Sequence, residues 1–178
     1  MRSRRVVTGH DADGAAIVVA DGPCPRDHAY AAIPGMHEAL AWATEHPHTI
    51  PADNADPTAS ITSYVPGPGS TRLLVVVFPP DAVFGAPTFD AAAAAAEQAV
   101  ASPGLAETFE AEAPGMHGTP TVDYAFVLEG TIILDLDGGK TTTLSVGDIV
   151  VQNGTRHAWR NTSESPATVA FVLVGAVA

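Results

Sequence analysis

The chain has 178 residues, 46% of them hydrophobic and 16% charged, which excludes a disordered segment and fits a single well-buried domain with extensions. Twenty acidic residues against eight basic ones give a formal net charge of -12, which repels phosphate backbones and anionic membranes, so neither nucleic acid nor a membrane surface is an expected partner. Cys24 is the only cysteine, which excludes an internal disulfide and suits a reducing cytoplasm, and 15 prolines with 16 glycines favour the many turns of an all-β plan.

In chain order, MRSRRVV is followed by TGHDADG rather than an apolar core, so no signal peptide is expected, and the longest apolar runs are strand-sized or alanine-only, so no membrane span is expected. The expectation is a soluble cytoplasmic protein. Residues 5–22 read as a hairpin turning at Asp-Ala-Asp-Gly 11–14 and added to the edge of the main sheet, with His10 a solvated turn residue. Residues 23–59 are rich in proline and histidine, and only 35–46 could hold a short helix. His46-Pro47-His48, near Trp42, looks like a metal dyad on paper, but no strand periodicity surrounds it, and packing or surface exposure is its default. Residues 1–60 are accordingly expected to form an N-terminal extension packing on a barrel formed by 61–178.

Within that barrel, 61–65 reads as a short strand, and LLVVVF at 73–78 reads as a strand buried on both faces. Asp90 can cap an alanine-rich helix that Ser102-Pro103-Gly104 stops; the insertion spans about 88–103, with a lid over a pocket as an alternative role. Then TVDYAFVLEG, TIILDLDGGK, TTTLSVGDIVVQNG and RHAWRN alternate short strands with Gly130, Asp137-Gly138 and Gly147-Asp148 turns, and ATVAFVLVGAVA closes the chain. Many short strands at even spacing point to a barrel or a double-sheet jelly roll.

His117, Thr119, Thr121 and Asp123 are spaced by two, so an extended segment sends them to one face, and His157 returns forty residues later. Asp123 lies between Val122 and Tyr124, and a buried carboxylate there needs a partner, whether a metal, a structural hydrogen bond, or an arginine such as Arg156 or Arg160. His157, Trp159 and Asn161 alternate, so Trp159 can wall a pocket or sit in the core.

The order of strands and turns from Met116 to Asn161 resembles a cupin. Gly147-Asp148, Gly154, His157 and Asn161 match the second motif of that family with one residue fewer than its usual spacing. The first motif departs more: counting back from Gly130 gives His117, Thr119 where a second histidine is usual, Asp123 where a glutamate is usual, and Ala111 in place of the opening glycine. The resemblance implies a double-stranded β-helix, here with an N-terminal hairpin extension and one or two short helices. It also implies a divalent metal, with His117, Asp123 and His157 surviving as a sparse set for Fe, Zn, Mn or Ni, and Thr119, Tyr124 and Trp159 around the pocket.

The same three residues are the catalytic candidates. The implied function is a metal-dependent small-molecule enzyme acting on an oxygenated organic metabolite, by isomerase, cyclase, dehydratase or dioxygenase chemistry. Without metal they become an acid/base set that takes a proton alpha to a carbonyl. A non-catalytic cupin that binds or senses a small molecule is the alternative. Cupins commonly pair through edge strands, which implies a homodimer using the N-terminal hairpin and the apolar C-terminal strand.

Overall fold

The computed structural model describes residues 3–177. Strands β1 (Arg4–His10) and β2 (Ala16–Pro23) form the expected hairpin, and the Asp11 carboxylate accepts the amides of Asp13 and Ala15 at its turn. The hairpin does not extend the main sheet; it is a two-stranded sheet of its own. Side chains rather than a ladder hold it down. The Arg5 guanidinium donates to the Ala41 carbonyl at 3.1 Å, pairs with Asp56, and lies 5.4 Å from the centre of the Trp42 ring.

The segment 35–46, read as able to hold a short helix, contains instead strand β4 (His37–Thr44), paired on one side with β3 (Arg26–Ala29) and on the other with β5 (Thr71–Phe78). Glu38, Ala39, Leu40 and Ala41 are all buried in succession, so both faces of β4 are covered. A ladder on each edge and burial on each face outweigh the helix propensity of Ala and Leu. Residues 61–65 form no strand: Arg26 donates to the Ile61 carbonyl at 2.7 Å and Arg72 to the Ser63 carbonyl at 3.0 Å, satisfying backbone groups that a ladder would otherwise take. Strand β5 alternates, with Arg72, Leu74 and Val76 buried and their neighbours half-buried, rather than being covered evenly on both faces.

Helix α1 (Ala91–Ala101) forms where expected, with the Asp90 carboxylate accepting the amides of Ala92 and Ala93 at 3.0 Å each. Ala94 is its one buried residue, packed with Tyr30 and Ile33. Among the described residues no helix is long and apolar enough to cross a membrane.

The remaining strands follow the sequence reading: β6 (Thr121–Glu129), β7 (Thr131–Leu136), β8 (Lys140–Ser145), β9 (Ile149–Asn153), β10 (His157–Arg160) and β11 (Ala167–Gly175). They complete a six-stranded sheet in the order β3-β4-β5-β11-β6-β9 and a three-stranded sheet β10-β7-β8. One apolar core joins the two, taking Leu40, Leu74, Val169 and Phe171 from the first and Ile132, Leu134 and Leu144 from the second. The fold is an all-β jelly roll of the double-stranded β-helix type, and its larger sheet runs back to residue 26.

Candidate functional site

Between the sheets and under α1 lies a cavity of about 780 Å³. Its wall is largely apolar, with Leu74, Phe78, Phe89, Trp159 and Phe171 prominent, and the polar side chains that line it include His117, Thr119, Asp123 and His157. A single β-bridge brings the two histidines together: the His117 amide donates to the His157 carbonyl and the His157 amide to the His117 carbonyl, both at 2.9 Å. Their ring centres are 4.3 Å apart, Phe109 lies 4.7 Å beyond His117, and Trp159 lies 6.0 Å beyond His157.

Each imidazole is oriented by its own chain. Nδ1 of His117 is 3.1 Å from the Gly115 carbonyl and Nδ1 of His157 is 2.9 Å from the Thr155 carbonyl. A carbonyl can only accept, so Nδ1 carries hydrogen in both rings, and the neutral tautomer keeps its lone pair on Nε2. Burial pushes the His117 pKa down against the opposing pulls of the Gly115 carbonyl and Glu110. Burial, then the neighbouring His117, pushes His157 down to about 4, the Thr155 carbonyl opposing. Both rings are therefore neutral near pH 7.

Asp123 is buried on β6, and burial raises its pKa against a hydrogen bond from Thr121. Its Oδ1 has no hydrogen-bond partner. The arginine partners that the sequence offered are engaged elsewhere, Arg156 with Glu110 and Asp137, and Arg160 with Asp135. Thr119 is buried at the cavity wall, its hydroxyl 2.6 Å from that of Thr121.

The metal set read from the sequence does not assemble. Among the described residues, no three His, Cys, Asp or Glu side chains come together to hold a metal ion. Burial alternates from His117 through Thr119 and Thr121 to Asp123, so the face expected from the spacing of two is kept across the bend at Pro120, but six residues of largely extended chain separate the imidazole from the carboxyl group. The two imidazoles are thus paired without the carboxylate. Tyr124, expected near the pocket, points to the outer face and is 41% exposed. Asn161 is buried behind the cavity, where Nδ2 donates to the carbonyls of Phe78 and Ser165. His46 and His48 are exposed and do not line the cavity.

Residues 107–174 match the family model described as Cupin domain. They form a cupin domain. Phomopsin biosynthesis cluster protein D of Diaporthe leptostromiformis is 50% identical to the chain over 50 residues, which is 28% of this chain and 26% of that protein. Oryzines biosynthesis cluster protein J of Aspergillus oryzae is 44% identical over 52 residues, 29% of each chain. The cupin-domain-containing oxidoreductase srdD of Neurospora crassa is 36% identical over 62 residues, 33% of this chain and 32% of that one. The chain therefore spans only about a quarter to a third of the length of these curated relatives. A solved Cupin 2 conserved barrel domain protein from Salinispora arenicola overlaps 75% of each chain at 14% identity and a TM-score of 0.38.

The cupin domain supplies both imidazoles and Asp123, but much of the cavity wall comes from before it. Ile33, Met36 and Glu38 reach it from the loop before β4 and from β4, and Ala91, Ala94, Ala95 and Gln98 reach it from α1. Sequence reasoning missed the first group because 35–46 was read as a helix. The signal was present in Glu38, a carboxylate directly before the apolar run Ala39–Ala43.

Proposed function

We propose that the chain is a small-molecule enzyme acting on an oxygenated organic metabolite by proton transfer next to a carbonyl. The observation that carries this reading is the pair of neutral imidazoles with Nδ1 tied to backbone carbonyls, in an apolar cavity that a buried carboxyl group also lines. A fixed Nε2 lone pair of His117 or His157 accepts a proton from the carbon alpha to the carbonyl. Asp123, whose burial favours the protonated form, hydrogen-bonds the oxygen on which negative charge develops. Return of the proton to another carbon isomerises the substrate, and loss of a β-oxygen as water dehydrates it. The apolar wall excludes water and strengthens both interactions. The metal that the resemblance implied has no assembled ligand set here, so no step is assigned to it.

The test uses a panel of cyclic 1,3-diketones and β-hydroxyketones in D2O, with deuterium incorporation at the alpha carbon followed by NMR. Protein-catalysed exchange that is lost in His157→Ala and Asp123→Ala is the expected result. Uptake of O2 without exchange would favour oxidative chemistry, the reading suggested by the names of the cupin-domain-containing oxidoreductases among the relatives. Saturable binding with neither signal would leave a binding or sensing cupin.

The chain is further proposed to form a homodimer. Tyr124, Phe126, Leu128, Ile149 and Val151 are exposed on the neighbouring strands β6 and β9, and β9 is an edge strand. A monomer mass in light scattering at all concentrations would refute the dimer.

A further inference from the structure

Glu38 stands on β4, outside the cupin domain, yet its side chain lines the same cavity. It is only 6% exposed. Its Oε2 accepts from the Ser102 hydroxyl at 2.9 Å and from the Tyr30 hydroxyl at 3.2 Å, and those two hydroxyls are 2.9 Å apart. Its Oε1 is buried and has no hydrogen-bond partner among the described residues. Leaving a buried polar atom unpaired costs about 1–3 kcal/mol, so such an atom calls for an explanation.

The register places Glu38 far from Asp123 along the larger sheet. Glu38 faces Val76 on β5, Val76 faces Val169 on β11, and Val169 faces Val127 on β6, four residues along that strand from Asp123. Three strand spacings and four residues put the two carboxyl groups on the order of 15 Å apart in a curved sheet. The wall between them carries Leu74, Val76 and Phe171. The sheet face between the two carboxyl groups is therefore apolar.

The three polar groups at the Glu38 end are held rigidly. Tyr30 precedes a loop whose Ala31 and Ala32 amides donate to the Glu97 carboxylate of α1, at 2.8 and 2.7 Å, and Ser102 caps the end of the same helix. Since Oε2 receives the hydroxyl hydrogens, a proton on this carboxyl group belongs on Oε1. Burial favours that neutral form.

We propose that Glu38 is a second ligand-binding point of the cavity, donating a hydrogen bond from Oε1 to a neutral oxygen, a hydroxyl or carbonyl, at the end of the ligand remote from Asp123. The ligand class is an elongated, mostly apolar molecule with oxygen functions at both ends. The proposal rests on the cavity being a small-molecule site and not on the proton-transfer chemistry assigned to it.

The test compares two probes of similar shape by calorimetry, 2-acetylnaphthalene and 2-isopropylnaphthalene. The ketone can only accept a hydrogen bond, so the Nε2 lone pairs of the histidines do not attract it. Wild type is expected to prefer the ketone by about tenfold, the effect of one hydrogen bond of roughly 1.4 kcal/mol. Glu38→Leu should abolish most of the preference while still binding the hydrocarbon, and Glu38→Gln should keep it, because the amide N–H replaces the O–H. Asp123→Ala, which removes the other carbonyl donor assigned to the cavity, should reduce the preference at most in part, and Glu38→Leu in that background should abolish what remains. A preference that largely survives Glu38→Leu, that disappears in Asp123→Ala instead, or that is absent from wild type overturns the proposal and leaves the small-molecule cavity standing. Failure of both probes to bind overturns the cavity reading and the proposal together. Should Glu38→Leu not fold, infrared spectroscopy decides: the ketone should shift a protonated carboxyl band in wild type but not in Glu38→Gln, and an unshifted band in wild type rejects the proposal.

Discussion

His117 and His157 donate their backbone amides to one another's carbonyls at 2.9 Å, and their imidazole centres stand 4.3 Å apart. The pairing is a property of the backbone, so the rings stay adjacent without any ion between them. Protonating either ring would place a charge beside its neighbour in a buried, apolar setting.

Stability should fall on acidification because of this pair. His157 titrates at about 4 in the fold against an ordinary value of 6.5. Between those values the unfolded chain binds more protons than the folded one, so stability is fully present above about pH 6.5 and is lost as pH falls toward 4. At roughly 1.4 kcal/mol per pKa unit, the loss is on the order of 3–4 kcal/mol. Asp123, with a raised pKa, acts in the opposite sense: its contribution is present below its ordinary 3.8 and is lost as pH rises through its folded value. Urea denaturation of wild type and His157→Phe over pH 4–7 checks this, with the variant expected to show a flatter profile.

Any divalent ion at the site should exchange readily. Two adjacent imidazoles are available, and Asp123 does not complete a three-ligand group with them. Protein purified without a polyhistidine tag is expected to lose bound metal on dialysis against a chelator. Stoichiometric metal that survives the chelator in wild type but not in His157→Ala would require the carboxylate to move in.

Asn161→Asp should destabilise the fold by about 3 kcal/mol, read as a lower urea midpoint. The amide Nδ2 donates to Phe78 at the end of β5 and to Ser165 just before β11, while Oδ1 accepts from the amide and hydroxyl of Ser163. A carboxylate would lose both donors and face two carbonyls in a buried site.

Gly130→Ala should cost about 2–3 kcal/mol and Gly138→Ala clearly less, although both glycines have positive φ. An added Cβ at Gly130 would lie 2.7 Å from the Pro166 carbonyl oxygen, whereas nothing lies within 4 Å of one at Gly138. Thermal melts of the two variants separate backbone strain from collision.

The strands and turns after residue 120 were legible because each strand is short, apolar in alternation and closed by a glycine turn. The pairing of His117 with His157 followed from the family pattern. What could not be read was how far His117 stands from Asp123, because a period of two gives the shared face, which the burial pattern keeps, and not the separation along it. Strand β4 was misread for a different reason. His37–Thr44 has the composition of a helix, and only the neighbours β3 and β5, distant in sequence, make it a strand. The same error hid Glu38 and placed the barrel's start too late in the chain.

Because the cavity wall is assembled from both the cupin domain and the stretch that precedes it, the imidazole pair and part of the surface that shapes the cavity lie in separate parts of the chain. Changes in β4, β5 or helix α1 can reshape what fits while the imidazole pair is left alone. Conversely, residues 107–174 expressed by themselves would carry the reactive groups with half their enclosure missing and the β11 edge stripped of β5. The shape of the cavity can therefore change through residues that lie outside the segment matched by the family model.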